Sequence, residues 1–403
     1  MSLRSADLVD ASNAQAVNNF REYLQIRSVH PEINYDGCVK FLEKQAKSLD
    51  LPIKIVTVVP GKPIVIMTWT GKNPNLPSIM LNSHMDVVPV YEDMWSQKPF
   101  GGEIVDGKVY GRGAQDMKCV GIWYLEAIRM LKSNKVTLEC TLHVTFVPDE
   151  EIGGKDGMKV FVETEEFKKL NIGCALDEGM PSTNEEFALF YDERCMWHMN
   201  WTCPGISTHG SALVNDTAGE KVAYILGKIY EFRRNEQNKL KYLKGTMGDV
   251  TAINLNVIHG GVQTNVTPAE IKFGLDCRVT PKEDFKTFEK MIESWRSEAG
   301  SGVTIDFVEK WLPVPATKLN DENPYWMAFK KATEALNLKL VPQICPGRTD
   351  GVFLRAKGIP VLGFSAINNT ELLLHQHDEH LGVETFLKGI QIYCKIIEAM
   401  ANV

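Results

Sequence analysis

Apolar residues recur along this chain with two periods, and the change between them divides it. Over roughly the first 190 residues, helical and strand patterns alternate. Residues 14–26 and 39–49 read as helices, and residues 63–68, 79–81 and 142–147 as short buried strands. Val120, Trp123, Tyr124, Ala127, Ile128 and Leu131 fall at i, i+3, i+4, i+7, i+8 and i+11, which is one face of a helix. Strands alternating with helices predict an α/β sheet covered on both faces.

From about residue 192 the period shortens. Residues 195–203 read as a strand. Thr217-Ala-Gly-Glu220 reads as a capping box opening a helix with Val222, Ile225, Leu226 and Ile229 on its apolar face. Ile253, Leu255 and Val257 alternate with polar residues, as do Ile271, Phe273, Leu275 and Cys277. These are two half-buried strands of an antiparallel sheet that is wet on one side. A helix at 285–295 and a strand at 303–308 complete the order β-α-β-β-α-β, which fits a ferredoxin-like sandwich. Trp311-Leu-Pro-Val-Pro-Ala then reads as a stiff linker. The chain ends in a helix with Phe386, Ile390, Tyr393, Cys394 and Ile397 on one face. The expected organisation is one α/β domain, residues 1–191 and 314–403, interrupted by a smaller domain at 192–313.

Composition narrows the function classes. The net charge of −7 disfavours a nucleic-acid binder. No apolar run approaches the ~18 residues of a membrane span, and the N-terminal residues show no apolar signal core. Nine cysteines, an odd number with no CxxC pair, predict free thiols in a reducing cytoplasm. Any metal site must therefore be built from histidines and carboxylates.

Five places carry candidate chemistry. His84-Met-Asp86 follows a buried strand, and residues two apart in extended chain point the same way. Asp86 is thus placed to accept the second ring N–H of His84, unless the pair is an ordinary surface feature. Asp116, in Gly111-Arg-Gly-Ala-Gln-Asp116-Met-Lys, is either a cap of the following helix or a metal ligand. Asp149-Glu150-Glu151 follows another buried strand, where three adjacent acids are costly without a positive partner. They form a metal ligand beside a general base, or a solvated acidic turn. Asp177-Glu178 is a second acid pair at a strand end, and His375-Gln-His377 offers two candidate ligands. Together they supply what two divalent ions sharing a carboxylate require.

In this order, His84-x-Asp86, the Gly111–Lys118 segment, Asp149-Glu-Glu-Ile-Gly-Gly154, Asp177-Glu-Gly179 and His375-x-x-x-Glu379 resemble the dinuclear zinc aminoacylase and carboxypeptidase family over nearly the whole chain. The resemblance implies a zinc-peptidase-like mixed sheet flanked by helices, with the inserted ferredoxin-like α+β domain serving as lid and dimerisation domain. It implies two Zn²⁺ per subunit, one held by His84, Asp116 and Glu178, the other by Asp116, Glu151 and His375. Glu150 would then be the general base and Asp86 the residue orienting His84. His209, within Gly205-Ile-Ser-Thr-His209-Gly-Ser, matches a histidine that reaches across a homodimer into the partner's site. Asn265, in Gly260-Gly-Val-Gln-Thr-Asn265, matches a substrate-contacting loop. Thr349, in Gly347-Arg-Thr-Asp-Gly351, matches another such loop, with Gly351 departing from the bulkier polar residue expected there. Arg278, on a polar strand face with Asp276, is suited to clamping a carboxylate. The activity implied is hydrolysis of a small N-acyl-L-amino acid to a carboxylate and a free amino acid. A carboxypeptidase or dipeptidase of the same family is the alternative, and a non-catalytic scaffold a more distant one.

Overall fold

A computed structural model describes residues 5–403. Residues 1–4, the start of the N-terminal segment read above for a signal core, lie outside the described residues. In chain order the elements are α1 (Ser5–Leu24), α2 (Asp36–Leu49), β1 (Ile53–Val59), β2 (Lys62–Trp69), β3 (Ser78–His84), β4 (Glu103–Val105), β5 (Lys108–Tyr110), α3 (Lys118–Ser133), β6 (Leu142–Val147), α4 (Met158–Phe161), α5 (Glu165–Lys168), β7 (Ile172–Asp177) and β8 (Glu186–Glu193). There follow β9 (Cys195–Pro204), α6 (Ala218–Leu243), β10 (Ala252–Gly260), β11 (Glu270–Val279), α7 (Phe285–Glu298), β12 (Thr304–Lys310), α8 (Pro324–Ala335), β13 (Lys339–Cys345), α9 (Gly351–Ala356), β14 (Val361–Phe364), β15 (His380–Gly382) and α10 (Val383–Met400).

The chain divides into two compact units. One comprises the residues up to Tyr191 with Pro315–Pro342 and Thr349–Val403; the other is Asp192–Val314 with Gln343–Arg348. The short return segment 343–348, which the sequence pattern leaves with the last third of the chain, falls in the second unit. There Arg194 donates through Nε and Nη2 to the Pro346 carbonyl at 2.9 and 2.7 Å, and Gly248 lies against the Ile344 carbonyl with no room for a side chain.

The first unit is built on a mixed eight-stranded sheet in the order β1-β2-β6-β3-β7-β14-β8-β13. β6, β3, β7 and β14 run parallel at its centre, and every residue of β3 and β6 is buried. Burial on both faces is why their polar residues, such as Asn82, His143 and Thr145, are hydrogen-bonded inside the sheet. β1 pairs antiparallel with β2 at the edge and is half-exposed. Its weak alternation is why the sequence pattern misses it. Helices α1, α3 and α10 share one aromatic core. Phe20 stacks on Phe386 with ring centroids 4.6 Å apart, and the Trp123 indole donates to the Phe386 carbonyl at 2.7 Å. Gly389 lets α10 approach this closely, because a Cβ there would sit 2.4 Å from the Trp123 ring. Among the described residues, no helix is long and apolar enough to cross a membrane.

The second unit has the order β10-β11-β9-β12, all antiparallel, with α6 and α7 over one face. This is the ferredoxin-like sandwich that the alternation predicts. Trp197, Met199 and Trp201 point into its core, while His198, Asn200, Asp276 and Arg278 lie on the other face. The Thr217–Glu220 capping box opens α6, with both of its reciprocal hydrogen bonds formed.

Candidate metal centre

Three parallel strands end at the same edge of the first unit's sheet, and the chemistry sits just beyond them, where open α/β sheets place their ligand sites. His84 is the last residue of β3. Glu150 and Glu151 follow β6, and Glu178 follows β7. Asp116 lies two residues before α3. The cap position of that helix is Met117 and no side chain caps it, so the capping reading of Asp116 does not hold. The carboxylate is instead shared between two histidines, Oδ1 lying 3.1 Å from His84 Nε2 and Oδ2 3.2 Å from His375 Nε2. Glu178 Oε2 is 3.7 Å from His84 Nε2, and Glu151 Oε2 is 3.0 Å from His375 Nε2. The donors thus form two triplets, His84–Asp116–Glu178 and Asp116–Glu151–His375, joined by Asp116. Glu150 Oε2 lies 4.0 Å from His84 Nε2, beside the first triplet.

The alternatives left open by the sequence separate here. His377 lies outside both triplets; its ring packs edge-on to the exposed Tyr91. Asp177 is buried beneath Glu178 and accepts from Asn82 at 3.1 Å. Asp86 differs from its expected contact. The nearest acceptor for His84 Nδ1 is the Asp86 backbone carbonyl, at 2.9 Å, with the carboxylate at 3.6 Å. The chain turns after β3, so the carbonyl rather than the side chain meets the ring. The Asp86 carboxylate accepts instead from the backbone N–H groups of Glu150 and Glu151, at 3.2 and 3.0 Å, and pairs with His30 Nε2 at 2.8 Å.

The electrostatics of the site favour positive charge. Burial, then the charge of Asp116, pushes Glu151 up to about 7, and the same two causes raise Glu178 well above the usual carboxylate range. Burial and Glu178 do the same to Glu150. Burial opposes ionisation of Asp116, but its contacts with His375 and His84 hold it far below the ordinary value. Asp116 and Glu151 together raise His375 to about 10. Glu151 Oε1 is buried without a hydrogen-bond partner. Crowded carboxylates, histidines drawn toward protonation and an orphaned oxygen all fit a donor set built around divalent cations.

A supporting layer was invisible to the sequence pattern. Asp149, at φ 61°, opens the Glu150–Ile152 turn; it accepts from the Tyr35 hydroxyl at 2.6 Å and pairs with Lys62 at 2.7 Å. Gly154, at φ 62°, closes the turn, where a Cβ would lie 2.5 Å from Asp350 Oδ1. His30, Asp86 and Asp149 also form a His–carboxylate cluster. Their partners in hydrogen bonds and ion pairs make it a support rather than a third ion site. No periodicity marks His30, Tyr35 or Lys62. Thr349 adjoins this turn through its neighbour Asp350 and accepts from the Gly351 N–H at 3.2 Å.

Among the described residues, none of the second unit's candidates belongs to a His/acid donor triplet. His209 is exposed, its Nδ1 2.7 Å from the Ser211 hydroxyl. Its loop meets that of Asn265, also exposed, where Gly210 N–H donates to the Asn265 carbonyl at 2.7 Å. Arg278 donates through Nε to both Asp276 oxygens, at 2.9 and 3.2 Å.

An α/β sheet carrying two His/acid triplets joined by one carboxylate is a donor set suited to a pair of divalent cations. The chain belongs to the Peptidase family M20/M25/M40, whose model matches residues 80–399, and it is a hydrolytic enzyme. It is 46% identical to aminoacylase-1 of Sus scrofa over 96% of each chain, and 45% identical to aminoacylase-1 of Homo sapiens over the same share. The Dictyostelium discoideum aminoacylase-1 is 39% identical over 96% of this chain and 97% of its own. The fold is also that of an M20 family metallo-carboxypeptidase from Sulfolobus solfataricus (TM-score 0.75, 18% identity, 96% and 99% of the two chains). A dinuclear metal-binding M20 peptidase of Bacillus subtilis shares it too (TM-score 0.66, 18% identity, 96% and 98%).

Proposed function

We propose that this enzyme hydrolyses N-acyl-L-amino acids to a carboxylate and a free L-amino acid, using two Zn²⁺ per subunit. The observation that carries the reading is Asp116 shared between two complete His/acid triplets, with similarity to aminoacylase-1 over 96% of the chain behind it. His84, Asp116 and Glu178 would hold one ion, and Asp116, Glu151 and His375 the other. When bound, the ions supply Lewis acidity, polarising a carbonyl and acidifying a water towards a pKa of about 7. Glu150, which belongs to neither triplet, takes the proton of the attacking water and passes it to the leaving amine. The Asp86 carboxylate acts by holding the Glu150–Glu151 turn, and its carbonyl by orienting His84.

Arg278 and Asn265 are assigned to the substrate's free carboxylate, Thr349 to a further substrate contact, and His209 to the developing oxyanion. In this reading the second unit is a lid. Arg278 then exchanges Asp276 for the substrate. A homodimer with His209 acting across it is supported by the edge strand β10, whose outer half exposes Val257 and Ile258 to a second chain. A reducing cytoplasm is supported by nine buried free cysteines.

The test is release of methionine from N-acetyl-L-methionine beside release from a methionine-containing dipeptide, on metal-loaded and chelated protein. Metal-dependent release from the N-acetyl substrate alone is expected. Release only from the dipeptide would favour the peptidase alternative, and release from neither would favour a scaffold.

A further inference from the structure

Besides Asp86, Asp149 and Asp177, a further buried carboxylate near the centre belongs to neither triplet. Glu379, at the start of the short strand pairing that ends in β15, is fully buried. It reaches back more than 260 residues to accept four hydrogen bonds from the segment that ends in Asp116. Its Oε2 accepts from Arg112 Nη1 at 2.7 Å and the Gly113 N–H at 3.1 Å. Its Oε1 accepts from the Gln115 N–H at 2.6 Å and the Asp116 N–H at 3.2 Å. Gln115 returns the link in the opposite direction. Its amide nitrogen donates to the carbonyls of Glu371 at 3.0 Å and His380 at 2.9 Å, and its amide oxygen accepts from the Leu373 N–H at 3.0 Å. These anchors lie on both sides of His375. That residue needs them: it sits in a loop at φ 61°, with its side chain 54% exposed, so little packing holds it.

We propose that Glu379 and Gln115 are positioning residues for the second ion, a reciprocal latch that fixes the shared carboxylate and the loop histidine in one geometry. The inference rests on the dinuclear reading above. The physical reason is that a flexible ligand binds weakly unless its conformational freedom has been removed beforehand. Four converging donors demand an acceptor-only side chain at 379, which glutamate supplies and glutamine does not. The first ion, held by His84 and Glu178 at strand ends, does not depend on the latch for those two ligands.

The experiment is a Co²⁺ titration of the chelated full chain, read by metal bound per chain and by visible absorption, with thermal melting of the metal-free protein alongside. Wild type should take two equivalents. Glu379→Gln, and more mildly Gln115→Ala, should take the first almost normally and bind the second about 10–100-fold more weakly. Asp378→Asn, in the same loop but bonded to the Ser96 N–H instead, should titrate like wild type. Should Glu379→Gln fail to fold, Gln115→Ala decides. Two equivalents bound as tightly in the variants as in wild type, with only the melting temperature lowered, would make the latch purely structural and overturn the proposal. Fewer than two equivalents in wild type would instead overturn the dinuclear reading itself.

Discussion

The two halves of the metal centre are made differently. In the first, His84 is the end of a fully buried strand, its side chain only 1% exposed, and Glu178 follows the neighbouring strand. The sheet's own ladder places both. In the second, Glu151 stands in a short turn opened by a left-handed Asp149, and His375 stands in a loop, half in solvent. Here placement depends on side-chain hydrogen bonds: Asp86 and Asp149 behind Glu151, Gln115 and Glu379 around His375. One half is rigid because its backbone is paired. The other is rigid only as far as its supports are intact, and Asp116 joins the two.

That contrast orders the effects of substitution. Asp116→Ala removes the shared ligand and should empty both sites after dialysis, with hydrolysis falling to background; metal analysis beside an activity assay checks this. One ion retained at full affinity would break the bridging assignment. Glu150→Ala spares every proposed ligand, so metal content should stay at two while turnover falls about 10²–10⁴-fold, the scale of a general base. Turnover within a few fold of wild type would remove Glu150 from that role.

The paired substitutions His84→Ala and His375→Ala test the contrast itself. Each should cost one ion. His84→Ala should also destabilise the metal-free fold by about 1–3 kcal/mol, since it strands the buried partners of the ring. His375→Ala, at a half-exposed ring, should lower metal-free melting by less, the cost being the Asp116 and Glu151 oxygens it leaves unpaired. Equal losses of stability would mean the two halves are not differently built.

A smaller, graded effect is expected from pH. In the metal-free chain His375 is raised to about 10 and Glu151 to about 7, so near neutrality His375 holds a proton, and Glu151 holds one in part, that a ligand must give up. Uptake by the loop half should release protons, and its apparent affinity should strengthen as pH rises from 6 to 8. Calorimetry in two buffers of different ionisation enthalpy measures the release. Affinity that is flat with pH would contradict the proton competition.

The sequence carried the architecture wherever periodicity was strong. The short apolar stretches Ile79–Leu81 and Leu142–Val147 mark strands buried on both faces, and the alternation of β10 and β11 marks a sheet with one wet side. His84, Glu150, Glu151 and Glu178 were legible because each sits in a short motif at or just after such a strand, whereas Asp116 and His375 were legible only from their motifs. What stayed hidden is what binds those motifs to one another. Tyr35 reaches Asp149 over 114 residues, and Glu379 reaches Arg112 over 267; such pairings leave no local period. Glu379 stood in view within His375-x-x-x-Glu379, but four donors converging on it is a property of the folded chain alone. The Asp86 contact shows the same limit at short range. Strand geometry aims its side chain at His84, whereas the turn after β3 substitutes the carbonyl.

The measurement that bears most directly on the account is a stepwise return of Zn²⁺ to the chelated protein, with bound metal and hydrolysis of N-acetyl-L-methionine followed in the same samples. With one carboxylate joining a strand-held and a loop-held ion, activity should stay low through the first equivalent and rise as the second fills, reaching its plateau at two per chain. Full activity at one equivalent, or in the chelated protein, would contradict it.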